Sequence, residues 1–256
     1  MRSFPKLIIK KIFSTIGLDI ARKSRKTTLS PTEIFLSFNF QRTDQRRLEH
    51  LESLGLNVHG SSVLELGAGI GGLTSFFIDR DCEVVTSDAR KENLEVLRSR
   101  YPGVRVLSLD LDSPPRKLGE LFDIIHCYGL LYHLRDPEGA IEFMSHCCRK
   151  MLLLETCVSF GDDDSILSVA EDALWPAASV SGVGCRPTRR WVYNRLKKHF
   201  GFVYLPTTQP NYKDFILDWT SPPPDTSYIR SIFVASRHRI TSKFLKESIP
   251  MKQTRH

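Results

Sequence analysis

The sequence predicts an α/β fold built on a mostly parallel sheet, with helices on both faces and a small cap. Short apolar segments alternate with helical patterns between residues 62 and 156, which is typical of βαβ units and a parallel sheet. A glycine-rich turn follows the first of these segments at residues 67–72. Hydrophobic residues make up 41% of the 256-residue chain, which is enough for the core of one elaborated domain.

Two helices are expected ahead of the sheet. Ser30 precedes Pro31, and this pair suits a helix start because proline is tolerated at the first helical position. A second helix is expected over residues 42–54, where leucines recur on one face. Gly55 follows it and suits the end of a helix.

Strands and helices then alternate along the chain. The expected strands are 62–66, 82–86, 104–109, 122–127, 151–156, 202–205 and 232–236, and the expected helices are 71–80, 91–100, 136–148 and 188–200. Residues 157–190 and 206–228 carry acidic, glycine, proline and aromatic residues without a regular pattern. We expect these two insertions to form an irregular cap at the carboxyl edge of the sheet. The predicted organisation is a basic amphipathic arm at 1–27, a catalytic domain at 28–240 and a flexible tail at 241–256.

Polar or glycine-containing segments follow four of the strands. Gly67, Gly69 and Gly72 have the G-x-G-x-x-G spacing of a nucleotide-binding turn, where the backbone can approach a ligand closely. Asp88 follows the second strand, 21 residues beyond Gly67, and an acid there can accept both hydroxyls of a ribose. Asp110 follows the third strand. These segments share one edge of a parallel sheet and predict a nucleotide-like ligand there.

The motifs resemble those of the class I S-adenosylmethionine-dependent methyltransferases. The first motif of that family is matched by residues 65–71, its ribose-binding acid by Asp88, and its adenine-side acid by Asp110. Its fourth motif is similar to residues 122–125. The segments 129–137 and 154–156 also resemble a branch that includes small-molecule and glycan methyltransferases and tRNA uridine carboxymethyltransferases.

The resemblance implies a Rossmann-like fold with a seven-stranded sheet and S-adenosyl-L-methionine as the cofactor. The cofactor-binding residues that it implies are Glu65, Gly67, Ala68, Gly69, Gly71, Asp88, Ala89, Asp110, Leu111, Cys127 and Tyr128. In the family, residues just ahead of the first strand help to close the cofactor pocket, and the candidates here are Phe38, Asn39, Gln41 and Arg42. No pattern of metal ligands accompanies these motifs, so no metal is expected.

Two residues after the fourth strand are candidates for the chemistry. The free imidazole of His133 titrates near neutrality, which makes it the candidate general base. Tyr132 is a candidate wall of the acceptor pocket. Each also has a structural interpretation, His133 as a residue that holds its loop and Tyr132 as a core aromatic. Glu155, Arg186 and Arg190 are further candidates for contact with an acceptor.

The charge distribution bears on the acceptor. The net charge of the chain is +7, and residues 1–26 carry all of it, because they hold eight basic side chains and one acid while the remaining residues balance. A neutral body lacks the broad basic surface that binds a phosphate backbone. We therefore expect a small-molecule, lipid-linked or glycan acceptor. The alternatives are an RNA-modifying methyl- or carboxymethyltransferase, an NAD(P)-binding oxidoreductase, and a cofactor-binding partner protein without catalysis.

The arm and the cysteines bear on localisation. Isoleucines form one stripe of a helical wheel in residues 1–26, between lysines, and such a helix can lie on an anionic membrane surface. The same arm could instead pack on the body, extend into solvent or contact nucleic acid. The six cysteines form no C-x-x-C pair and suit a reducing compartment. We expect a cytoplasmic protein, with the arm as a candidate membrane contact.

Overall fold

The computed structural model describes residues 29–225 and 228–256. The basic arm expected at residues 1–27 therefore lies outside the described residues. The helices are α1 (Pro31–Phe35), α2 (Phe38–Ser53), α3 (Thr74–Ile78), α4 (Lys91–Arg100), α5 (Pro137–Cys147) and α6 (Arg189–His199). The strands are β1 (Ser62–Leu66), β2 (Glu83–Asp88), β3 (Arg105–Ser108), β4 (Phe122–Tyr128), β5 (Cys148–Cys157), β6 (Ile166–Ala170), β7 (Val183–Pro187), β8 (Phe202–Pro206), β9 (Thr208–Gln209), β10 (Arg230–Ser236), β11 (Leu245–Lys246) and β12 (Thr254–Arg255).

A side-chain cap fixes the start of the first helix ahead of the sheet. The side chain of Ser30 accepts a hydrogen bond from the backbone N–H of Glu33, and the carboxylate of Glu33 accepts one from the backbone N–H of Ser30. This reciprocal capping box stabilises the first turn of α1. The second helix, α2, begins at Phe38, four residues before the predicted start. The apolar periodicity that predicted it is confined to its later turns.

The predicted α/β architecture is confirmed. The central sheet has the strand order β11-β8-β10-β5-β4-β1-β2-β3. Strands β3, β2, β1, β4 and β5 are parallel, and β10, β8 and β11 continue the sheet in antiparallel pairing. The sheet has eight strands where seven were expected. The additional strand, β11, is two residues long and pairs with the end of β8 at the sheet edge.

Hydrophobic layers cover both faces of the sheet. Alternate residues of β1 enter opposite layers, with Val63 in one and Leu64 in the other. The layer around Leu64 includes residues of α5 and α6, and the layer around Val63 includes residues of α2 and α3. In β5, the segment 152–157 is buried throughout, as expected for a strand that is covered on both faces.

Two predictions about the connecting segments are corrected. The insertion at 157–190, expected to be irregular, contains the antiparallel pair β6–β7, whose two strands are joined by residues 171–182. The tail at 241–256, expected to be flexible, packs on the domain through β11 and β12. In the tail, the buried amide of Gln253 donates to the backbone carbonyl of Pro206 and accepts from the indole of Trp219. Single amide contacts of this kind leave no periodic signal in a sequence.

Candidate active site

A cavity of about 680 Å³ lies at the carboxyl ends of the parallel strands. Its volume is within the range of about 300–1,000 Å³ typical of ligand pockets. Its walls come from α2, from the segments that follow β1 to β4, and from the cap around β6 and β7. The predicted site residues that line it are Glu65, Gly67, Ala68, Gly69, Asp88, Ala89, Asp110, Leu111, Tyr128, Tyr132 and His133. Gly71 and Cys127 do not line it.

The turn after β1 depends on glycine at two positions that line the cavity. Gly67 and Gly69 adopt φ values of +64° and +58°, which side chains rarely tolerate. A Cβ atom at Gly69 would lie 2.9 Å from the ring of Phe35, and one at Gly67 would lie 2.9 Å from Leu130. The turn therefore exposes backbone to the cavity, as a nucleotide-like ligand requires.

Gly71 makes close packing contacts that the sequence did not predict. A Cβ atom there would lie 2.5 Å from the ring of Tyr101 and 2.9 Å from the hydroxyl of Thr74. Its carbonyl accepts a hydrogen bond from the hydroxyl of Tyr101 at 2.7 Å. Gly71 therefore packs against Tyr101 at the end of α4 and does not line the cavity, and its cofactor contact stays a prediction.

We expect Gly71→Ala to lower the free energy of unfolding by about 2 kcal/mol. The left-handed backbone conformation is strained in alanine, and the added Cβ atom displaces Tyr101. Urea unfolding of the full chain measures this change. Gly103→Ala is the matched control, since Gly103 has no positive φ and open space at its Cβ position. Equal unfolding free energies for the two variants would contradict the packing role.

Asp88 is a cavity carboxylate that is held by three hydrogen-bond donors. It is 8% exposed and accepts hydrogen bonds from the backbone N–H groups of Gly69 at 3.0 Å and Arg90 at 2.8 Å. The side-chain amide of Asn93 donates a third, at 3.1 Å. Burial raises the pKa of Asp88 above its usual value, against the opposing effect of these donors. The carboxylate is thereby fixed between the glycine turn and the start of α4.

The segment after β3 contributes a second acid. Asp110 Oδ1 accepts a hydrogen bond from the backbone N–H of Asp112 at 2.9 Å, which fixes the turn that carries it. Leu111 is 3% exposed and packs into the hydrophobic layer beside α5. Asp110 and Leu111 thus provide an acceptor and an apolar edge on the same wall of the cavity.

Glu65 and Cys127 lie deeper than the rest of the predicted set. Glu65 is 2% exposed, and its carboxylate accepts from the hydroxyl of Thr74 at 2.6 Å and lies 3.4 Å from Nδ1 of His126. Cys127 is fully buried in the layer beside α5, and burial raises the pKa of its thiol to about 12. Side chains alternate along a strand, and the neighbours of Cys127, His126 and Tyr128, line the cavity whereas Cys127 does not. The cofactor contact of Cys127 stays a prediction.

The candidate catalytic residues lie in a short 3₁₀-helix, Leu131–His133, after β4. Nδ1 of His133 lies 2.5 Å from Oε2 of Glu171, in the cap. Burial lowers the pKa of His133, and the partial compensation by Glu171 does not reverse this direction. The lowered pKa favours the neutral imidazole of His133. Its ring centroid lies 3.9 Å from that of Tyr132, so both side chains belong to one wall of the cavity.

A buried ion network supports that wall. Glu155 is fully buried and lies between Arg47, at 2.6 Å, and Arg230, at 2.9 Å. Arg230 also donates to the hydroxyl of Tyr132 at 3.2 Å. Burial alone would raise the pKa of Glu155, but the two guanidinium groups lower it. Glu155 does not line the cavity, so the expectation that it contacts the acceptor is wrong.

Several cavity residues were missed in the sequence. Of the four residues expected ahead of β1, Asn39 lines the cavity, whereas Phe38, Gln41 and Arg42 do not. The side of α2 that lines the cavity runs from Asn39 to Arg47. An α2 start at residue 38 would have predicted that side from the helical spacing. The residues missed include Phe35, Phe40, Thr43, Asp44, Arg47, Asn93, Glu171 and Arg230.

The two cap arginines that were candidates for contact with the acceptor lie in different places, one at the cavity and one at the surface. Arg186 lines the cavity, and its guanidinium lies 5.0 Å from the ring centre of Tyr132. Arg190 pairs with Asp162 on the surface at 2.6 Å and does not line the cavity.

Among residues 29–225 and 228–256, no group of side chains is arranged to hold a metal ion. The helices of this described part are too short or too polar to span a bilayer.

A comparison with known proteins identifies the family of this chain. A family model described as a methyltransferase domain matches residues 35–207, more than half of the chain. The ubiquinone biosynthesis O-methyltransferase of Photorhabdus laumondii is 25% identical over 115 residues, which are 43% of this chain and 46% of that protein. The match thus spans about half of that relative.

Solved structures share the fold. The N-terminal domain of EvdMO1, crystallised in the presence of S-adenosylhomocysteine (SAH) and D-fucose, has a TM-score of 0.59 and 18% identity, covering 78% of this chain and 84% of that chain. Magnesium protoporphyrin IX methyltransferase from Synechocystis PCC 6803, with bound S-adenosylmethionine, has a TM-score of 0.51 and 16% identity, covering 93% of this chain and all of that chain.

Proposed function

This chain belongs to the class I S-adenosylmethionine-dependent methyltransferases, and we propose that it methylates a hydroxyl group of a small polar acceptor such as a sugar or a glycan. One observation carries the proposal. A single cavity joins the glycine turn and Asp88 to His133, whose Nδ1 lies 2.5 Å from the carboxylate of Glu171. A ligand site and a proton acceptor therefore open into the same space.

The residues that line the cavity fit S-adenosylmethionine. The backbone at Gly67 and Gly69 would lie against the ligand, because both residues line the cavity and carry no side chain. Asp88 would accept the ribose hydroxyls, and Asp110 the amine of adenine, with Leu111 packed on the ring. Ala89 leaves space beside the ribose. Tyr128, whose buried hydroxyl has no hydrogen-bond partner among the described residues, would face the reacting end.

The proposed reaction requires the protein to position the acceptor and to remove one proton from its hydroxyl group. Bound S-adenosylmethionine supplies a methyl carbon that is already activated by a positively charged sulfur. Nε2 of His133 would take the proton of the acceptor hydroxyl while the acceptor oxygen bonds to that carbon and the carbon–sulfur electron pair leaves with the sulfur. Tyr132 would form the wall that orients the acceptor for in-line approach.

The acceptor side of the cavity supports a hydroxylated molecule. Its lining includes Arg186, Lys213, Asp214 and Tyr228, which offer donors and acceptors to several hydroxyls. EvdMO1, which shares the fold, was crystallised in the presence of D-fucose. An NAD(P)H-linked function is not favoured, since the motifs and the family belong to methyl transfer. An RNA acceptor is not favoured for a different reason, because the charges of residues 27–256 balance and a phosphate backbone binds a broad basic surface. A lipid-linked acceptor would use the arm at 1–26, which lies outside the described residues.

Turnover tests the acceptor class. Purified full-length protein is incubated with S-adenosylmethionine and a panel of small sugars, nucleotide sugars, lipid-linked sugars and total tRNA, and SAH is measured by mass spectrometry. We expect SAH to form with a sugar-containing acceptor. Turnover with tRNA alone, or no turnover with any acceptor, would contradict the proposal.

We expect Asp88→Ala to weaken S-adenosylmethionine binding by about 10- to 100-fold, because a hydrogen bond to a charged group contributes about 1.5–3 kcal/mol. Isothermal titration calorimetry measures the affinity, and circular dichroism checks the fold. Asp79→Asn is the control, since Asp79 is exposed at the end of α3. Unchanged affinity in Asp88→Ala would refute the ribose assignment.

A further inference from the structure

The cap brings a carboxylate to the candidate base from a distant part of the sequence. Glu171 follows β6, and its Oε2 lies 2.5 Å from Nδ1 of His133, 38 residues earlier. The described residues give Nε2 of His133 no hydrogen-bond partner. A histidine whose Nδ1–H donates to a carboxylate keeps the lone pair of Nε2 available.

Glu171 is itself held in place on two sides. Its Oε2 accepts a hydrogen bond from the backbone N–H of Ser179 at 2.8 Å. Its Oε1 lies 3.6 Å from the guanidinium of Arg186. The side chain of Glu171 is 9% exposed, and these contacts restrict its rotation.

The strand next to Glu171 is shaped to admit this contact. A Cβ atom at Gly184, in β7, would lie 2.5 Å from the backbone oxygen of Tyr132 and 2.7 Å from Oε1 of Glu171. Only glycine allows β7 to approach the 3₁₀-helix and the carboxylate this closely. The cap and the segment that carries the base are therefore packed as one unit.

We propose that Glu171 is a positioning residue for methyl transfer, which holds His133 with its proton on Nδ1 and Nε2 directed at the acceptor. This inference rests on the proposed function. Glu171 touches neither cofactor nor acceptor in this role; it acts through His133. The base is then complete only when the cap insertion is folded against the 3₁₀-helix.

The charges around His133 set the sign of the pH effect. Burial lowers the pKa of His133, as do Arg230 of β10 and Arg186 of β7, whereas Glu171 raises it. Removing the negative charge of Glu171 leaves the imidazolium form less stabilised. The acid limb of the kcat/KM profile, where activity falls as His133 takes up a proton, should therefore move to lower pH in Glu171→Gln.

The test combines kinetics with a measurement that needs no acceptor. In Glu171→Gln we expect kcat to fall by about 10- to 100-fold, a part of the 10²–10⁴-fold typical of general acid–base catalysis. The acid limb should shift to lower pH, and the affinity for S-adenosylmethionine should not change. In ¹⁵N NMR of the wild-type protein, His133 should carry its proton on Nδ1 at neutral pH, and Glu171→Gln should shift this tautomer balance.

Asp163→Asn is the matched control, because it removes one carboxylate from the same insertion at an exposed residue that does not line the cavity. A wild-type histidine protonated on Nε2 would overturn the inference. So would a Glu171→Gln enzyme whose acid limb is unchanged, whether or not kcat falls, since that result leaves Glu171 only a role in folding the cap. If no acceptor supports turnover, the proposed function fails, while the tautomer measurement still decides this inference.

Discussion

His133→Gln is expected to lower kcat by about 10²- to 10⁴-fold, the usual contribution of a positioned general base. The affinity for S-adenosylmethionine should stay the same, because the proposed cofactor contacts are made by the glycine turn and Asp88 and not by His133. Glutamine retains a polar group beside Glu171, which limits disturbance of the cap. Steady-state kinetics and calorimetry on the same preparation separate the two effects.

The pH profile gives an independent check on the wild-type enzyme. Burial lowers the pKa of His133 below its usual 6.5. As the proposed base, His133 would lose its capacity to accept a proton only as the pH falls through the lowered pKa. The acid limb of kcat/KM should therefore lie below pH 6.5. His146→Gln, at an exposed position of α5, should leave both kcat and the limb unchanged. A wild-type kcat in His133→Gln would show that His133 is not the general base.

Glu155→Gln is expected to lower the free energy of unfolding by about 3 kcal/mol or more, because breaking a buried ion pair costs about 3–5 kcal/mol. Glu155 is fully buried between Arg47 and Arg230, which are 6% and 8% exposed. Without the carboxylate, two guanidinium groups lie close together in the interior. Asp44, 3.0 Å from Arg47, and Asp214, 3.7 Å from Arg230, offset part of the loss, which places the effect near the lower end of that range.

Chemical denaturation measures the change, and an exposed ion pair serves as the control. Glu247 lies 2.8 Å from Arg239, and the arginine side chain is 67% exposed. Glu247→Gln should therefore change the unfolding free energy by less than about 1 kcal/mol. If the two variants lose equal stability, the buried network does not support the fold. Because Arg230 also binds the hydroxyl of Tyr132, Glu155→Gln should in addition disturb the acceptor wall.

The sequence alone determined the part of the molecule that depends on local physics. The strands of the parallel sheet were predicted to within a few residues, since each is a short apolar segment bounded by turn residues. The glycine turn was evident because a left-handed backbone and a close approach both require glycine. Asp88 followed from its position at the end of the second strand. For the same reasons the expected cofactor wall required little beyond the sequence.

Only the tertiary structure decided which charged groups meet. Glu155 lies 108 residues from Arg47 and 75 from Arg230, and such separations leave no pattern in the chain. The face of β4 that borders the cavity is set by packing, so Cys127 lies in the core and Tyr128 in the site. Buried polar partners are chosen by distance in space, whereas periodicity reports only which side of an element is apolar. That difference is why the glycine turn and Asp88 could be predicted to line one cavity and the contact between Glu171 and His133 could not be predicted.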